Sequence, residues 1–269
     1  MQFTRCVRML FGGMSGLVLA FLYLPLLIIV VLSFNTVSSL SWPPKGFTVH
    51  WWQMALHSTG ARDALIVSLK TATGATAIAL VLGLLAALAI HRFKFFGRES
   101  LNLMIVLPIA LPGIVTGIAL SAAFRQAGLE FGFLTLIIAH ATFCIVVLYN
   151  NLLARFRRLS PNLEEASADL GAHNYQTFRY VTFPLLRTAM LAGGLLAFGL
   201  SFDEIVVTTF TAGPGLETLP IWIFKNLSRG EQQPIVTVVA TAVMLLSVIP
   251  VWIAQRLTSG DGPLTGGSR

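Results

Sequence analysis

Charge is scarce in this chain. Only 11% of its 269 residues are Asp, Glu, Lys or Arg, against 55% hydrophobic, and mean hydropathy is +0.79. A soluble domain of this length could not keep such a surface in water, so the scarcity excludes that class and places the chain in lipid. Cysteine is sparse too: Cys6 and Cys144 show no metal-ligand spacing and are expected at different membrane levels, so no structural disulfide is predicted. The chain has no G-x-x-x-x-G-K-S/T phosphate loop, and it cannot hydrolyse ATP by that means. A net charge of +7 does not mark a nucleic-acid binder here, because Lys and Arg stand between long apolar runs instead of clustering on one polar face.

What is present is a series of long apolar runs. A helix needs about 20 apolar residues to cross the hydrocarbon core. Such runs occur at 11–33, 71–90, 101–124, 131–153, 188–212 and 235–254, which predicts six spans and an all-α integral membrane protein. Sidedness follows from the basic residues. With the N-terminus inside, 12 of the 18 Lys and Arg residues fall on the cytoplasmic side, so both termini are expected in the cytoplasm. The first run is too long for a cleaved signal peptide and lacks a small-residue cleavage pattern. The loop from Ser41-Trp42-Pro43-Pro44 to Trp51-Trp52 carries aromatics suited to a headgroup anchor. Residues 1–258 read as one transmembrane domain, and the Gly-rich tail 259–269 as disordered.

Four features inside the spans stand out. Pro108 and Pro112 cannot donate backbone hydrogen bonds, so the third span is expected to kink or open, either as a pathway wall or as a packing feature. Gly113 and Gly117 have the spacing that permits close helix approach. His140 is a lone histidine in an apolar run, better explained by hydrogen bonding to a neighbouring helix or a hydroxyl than by proton transport. In the fifth span Asp203 and Glu204 are adjacent carboxylates, each costing about 2.5 kcal/mol or more unless paired, protonated or wet. On one continuous helix Ser201, Glu204, Thr208 and Thr211 form a polar stripe, with Asp203 about 100° away. The stripe reads either as cation-attracting or as a structural contact to a partner subunit.

The longest polar stretch is 155–187. Ser160-Pro161 is a plausible helix start, Glu164 and Glu165 complement the positive end of the dipole, and Gly171 suits a left-handed stop. Asn174 is then expected to cap a second short helix through Phe178 to Val181. A bent helix pair of this kind has the shape of a docking knob.

The register Glu165-Ala166-Ser167, three residues, Gly171, nine residues, Val181, one residue, Phe183-Pro184 resembles the "EAA" loop of ABC importer permeases. Ser33-Phe34-Asn35, the loop with Trp42-Pro43-Pro44 and Trp51-Trp52, Leu107-Pro108 to Pro112-Gly113, Ser201 to Glu204, and Thr218-Leu219-Pro220 with Arg229-Gly230 resemble the second permease of spermidine/putrescine importers. That resemblance implies a type I permease fold in the bacterial inner membrane, paired with a related second permease. It also implies two ATPase subunits carrying ATP and Mg, a periplasmic or extracellular substrate-binding protein, and no cofactor on this chain. Glu164, Glu165, Ala166, Ser167, Asp169, Gly171 and Pro184 would couple to the ATPase, while Ser201, Asp203, Glu204, Thr208, Thr211, Pro108 and Pro112 would line the pathway. Similar-looking permeases carry iron, sulfate, phosphonate or thiamine. Two readings from other classes compete: an ion-coupled secondary carrier using Asp203 and Glu204 for protons, and an intramembrane enzyme, which lacks a third catalytic group.

Overall fold

A computed structural model describes residues 5–160 and 162–258. The expected tail 259–269 and the first-turn proline at 161 lie outside the described residues. The chain divides into two compact units, one from the chain up to Arg62 with Ile223–Ser247, the other from Asp63–Trp222 with the chain from Val248.

In the first unit, α1 (Arg5–Leu32) is apolar on every side and largely exposed, as a lipid-facing helix must be. The chain then folds around buried Asn35, whose Oδ1 accepts from the Lys45 N–H at 3.3 Å and whose carbonyl accepts from Trp51 Nε1 at 2.9 Å. Trp52 stacks on Phe34 at 5.3 Å, at the start of α2 (His50–His57). Trp42 is exposed as a headgroup anchor would be, but Trp51 and Trp52 are tied into the loop itself.

The second unit is organised around α6 (Phe133–Phe156), 13 of whose 24 residues are buried. Against it lies α3 (Thr59–Arg92), whose 34 residues extend roughly 51 Å at 1.5 Å per residue. Buried Ala72, Ala75, Ala79 and Ala87 keep the α3 side of that contact thin. Leu148 of α6 fills two gaps: a Cβ at Gly83 would lie 3.1 Å from it, and one at Gly193 2.8 Å.

The third expected span is two helices, α4 (Arg98–Ala110) and α5 (Gly113–Gln126), bent by 110°. Leu111 is extended (ψ 145°), as a residue before proline prefers, and Pro112 starts α5. The break is thus sharper than a kink, and it falls at Pro112 while Pro108 stays inside α4. The loop 155–187 forms α7 (Asn162–Asp169), α8 (Asn174–Thr177) and a π-helical turn Phe178–Thr182 leading straight into α9 (Phe183–Phe202). After α9 come α10 (Val206–Thr211), α11 (Leu219–Leu227) and α12 (Gln233–Thr258).

The fifth span is therefore not one helix: it ends at Phe202 and restarts at Val206. Among the described residues four helices are long and apolar enough to cross a membrane, and five spans result if the bent pair counts as one. The sixth expected run, 235–254, lies within the 26 residues of α12.

Candidate functional site: the two ends of one helix

The loop before α9 is tied down by polar contacts. Gly171 has φ +80°, a left-handed conformation that glycine adopts without strain. Around it the Gly171 N–H reaches the Ala168 carbonyl at 2.8 Å and the Ala172 N–H reaches that of Ser167 at 3.1 Å, which closes the end of α7 as a Schellman motif. The next cap is His173, not Asn174: its N–H donates to Gln176 Oε1 at 2.8 Å, and α8 begins one residue later. The expected second helix through Val181 is wound partly as the π turn, so the loop continues into α9 without a joint.

Glu164 faces inward. Its Oε2 pairs with Arg92 at the end of α3 at 3.1 Å, and its Oε1 accepts from Thr182 Oγ1 at 2.8 Å. Ser167 and Thr177 exchange a hydrogen bond at 2.9 Å, joining α7 to α8. Glu165, Ala166, Asp169 and Leu170 face outward, with Leu170 89% exposed, and Pro184 sits half-buried in the first turn of α9. The loop thus has a stapled inner side and an accessible outer side.

The other end of α9 opens into a break. Asp203 closes α9, its N–H donating to the Gly199 carbonyl at 3.2 Å, and its side chain is exposed. Glu204 is half-buried, and its Oε1 accepts from the Val207 N–H at 2.9 Å, satisfying an orphan donor at the start of α10. No Lys or Arg among the described residues pairs with either carboxylate.

His140 of α6 holds the two sides of the break together. Its Nδ1 lies 2.8 Å from Ser201 Oγ and its Nε2 2.9 Å from Thr208 Oγ1. The Thr208 hydroxyl spends its proton on the Glu204 carbonyl at 2.7 Å, so Nε2–H must donate to Thr208 and Nδ1 must accept from Ser201. Thr211 donates to the Val207 carbonyl at 2.8 Å, and Thr135 Oγ1 donates to the Thr211 carbonyl at 3.2 Å.

The polar stripe expected along one helix is thereby split. Ser201, Thr208 and Thr211 are buried and bonded inward, because they serve His140 and backbone carbonyls, while Asp203 and Glu204 stay accessible. α10 packs on α5 through the two glycines: a Cβ at Gly113 would lie 3.6 Å from Val206 and one at Gly117 2.7 Å from Phe210. The bend at Pro112 and the break at Glu204 are therefore neighbours, with Pro108 one helical turn before the bend. The sequence could not show that His140 is the hub, since its partners lie 61 and 68 residues away. The one available signal was the seven-residue spacing of Ser201 and Thr208, which puts them on one face.

Residues 79–260 match the family model for the binding-protein-dependent transport system inner membrane component. The chain belongs to that family. This permease component is 33% identical to the spermidine/putrescine transport system permease protein PotC of Escherichia coli (strain K12), over 88% of this chain and 89% of that protein. It is 34% identical to the putrescine transport system permease protein PotI of the same strain, over 83% and 82%. It is 32% identical to a putative 2-aminoethylphosphonate transport system permease protein, PhnV, of Salmonella typhimurium, over 86% and 88%. Among solved structures, a bacterial ABC transporter involved in import of the acidic polysaccharide alginate matches with a TM-score of 0.72 at 18% identity, covering 97% of this chain and 99% of that one. That likeness establishes the fold. The family match covers both ends of α9, and the chain is a membrane-embedded transport subunit.

Proposed function

We propose that this permease forms half of the translocation pathway of an ATP-driven importer for a small polyamine, putrescine or spermidine. It pairs with a second, related permease, receives substrate from a periplasmic binding protein, and takes its energy from two ATPase subunits that carry ATP and Mg. The outward side of Glu165, Ala166, Asp169 and Leu170 is the ATPase contact, and the termini face the cytoplasm.

One observation carries the substrate class: Asp203 and Glu204 stand accessible at a helix break with no cation from the described residues beside them. Carboxylates in lipid persist where a partner or water offsets their cost, and a diammonium ion is such a partner in transit. Relatives named for putrescine and spermidine at 33–34% identity support the same reading. The 2-aminoethylphosphonate in another relative's name shares the ammonium group but adds a phosphonate, which two carboxylates repel.

Uptake of labelled putrescine by cells carrying the assembled transporter, competed with spermidine and with 2-aminoethylphosphonate, tests it. Competition by spermidine alone supports the proposal, whereas competition by the aminophosphonate alone overturns it. Uptake by the purified chain in proteoliposomes without ATPase would instead establish the ion-coupled carrier.

A further inference from the structure

A second polar site lies at the opposite end of α6 from the break's neighbours, on the coupling-loop side of the membrane. A cavity of about 540 Å³ opens between the end of α3, the start of α4 and the last turns of α6. Its base is apolar, with Ile90 and Leu153 nearly buried, and its rim carries His91, Arg98, Asn102 and Arg157. The groups are held in place: the His91 ring stacks on Phe156 at 4.6 Å, and the Tyr149 hydroxyl donates to Asn102 Oδ1, which leaves the Asn102 amide hydrogens free for a ligand. Neither Arg98 nor Arg157 pairs with a carboxylate among the described residues.

The depth of the cavity is marked independently. The loop joining α3 to α4 exposes Phe93, Phe95 and Phe96, at 60%, 41% and 106%, around Lys94. Three exposed phenylalanines beside a lysine suit a headgroup region, where apolar rings enter the acyl boundary and the ammonium stays at the surface. We infer that this cavity binds the phosphodiester headgroup of an anionic phospholipid, held between Arg98 and Arg157. Glu99 also lines the cavity, so the two arginines leave a surplus of one positive charge, matched to a singly charged phosphodiester. The inference is independent of which solute the permease carries.

The experiment uses the assembled transporter in nanodiscs containing a photoactivatable phosphatidylglycerol, with cross-links mapped by peptide mass spectrometry. Cross-links should concentrate on 90–102 and 149–157 and exceed those of a matched phosphatidylcholine probe. Arg98→Gln with Arg157→Gln should lower them roughly 25-fold, about fivefold for each arginine. Arg98→Lys with Arg157→Lys should retain most of the labelling, because charge is kept. Equal labelling by phosphatidylcholine, unchanged labelling in the glutamine pair, or equal loss in the lysine pair overturns the inference. Loss of labelling on adding inorganic phosphate would also overturn it, by assigning the cavity to a soluble anion.

Discussion

Replacing His140 by leucine keeps most of the side-chain volume but removes both ring nitrogens, so it tests the hub without opening a large cavity. Two interhelical hydrogen bonds are lost, worth about 0.6 kcal/mol each in membrane proteins. The Ser201 hydroxyl, 3% exposed, is also left without its acceptor, which costs about 1–3 kcal/mol. Thr208 suffers less, since its own proton still reaches the Glu204 carbonyl. The sum is about 2–4 kcal/mol, a melting-temperature drop on the order of 5–10 °C for a chain of this size.

The second step of the cycle carries the sharper test. Adding Ser201→Ala to His140→Leu removes the orphaned hydroxyl, and replacing both partners of a hydrogen bond by apolar groups is close to neutral. The double variant should therefore melt above the single one, by roughly 2–6 °C. Thermal unfolding of the purified assembly by intrinsic fluorescence reads both steps. An unchanged melting temperature in His140→Leu, or a double variant less stable than the single, refutes the proton assignment and the bridging role together.

Glu204→Gln retains an oxygen for the Val207 N–H and loses the charge, so polyamine uptake should fall severely at matched expression while assembly is unchanged; normal uptake would return substrate choice wholly to the binding protein. Gly171→Trp forces a side chain onto φ +80°, a strain of about 1–2 kcal/mol, and places bulk on the outward corner of the loop. Insertion should persist and transport should be lost; near-normal transport rejects the docking assignment. A cysteine at Asn174, which is exposed, should resist an impermeant reagent in intact spheroplasts, and its labelling would invert the sidedness.

Much of this was legible because local rules carry it. Gly171 announced a left-handed stop and Pro112 a helix break, each fixed by the backbone of that one residue. The break at Asp203–Glu204 was not, since nothing in Ser201 to Thr211 forbids a helix and the interruption is held by tertiary contacts to His140 and Thr135. Periodicity consequently put Ser201, Thr208 and Thr211 on the same face as Glu204, and that face is divided in the fold. The Arg92–Glu164 pair was likewise invisible, because helix-start chemistry already accounted for Glu164.

The arrangement of α9 has a mechanical consequence that neither end has alone. Its 20 residues extend roughly 30 Å, one end continuous through the π turn with the α7–α8 loop and the other ending at Asp203. Near its middle Gly193 admits Leu148 of α6 so closely that a Cβ would lie 2.8 Å away, and Gly194 faces Leu80 of α3. Leu148 thus sits between Gly193 of α9 and Gly83 of α3, and the three helices meet in close contact there. A push on the loop would then tilt α9 about the Leu148 contact and swing the far end by a similar distance in the opposite sense. The far end is where His140 holds Ser201 and Thr208 together, so the motion either stretches those two hydrogen bonds or carries α10 along with it. In both cases Glu204 moves, because its carbonyl is bonded to Thr208 and its carboxylate to the first turn of α10. Enlarging Gly193 should thus disturb transport more than its distance from either end suggests.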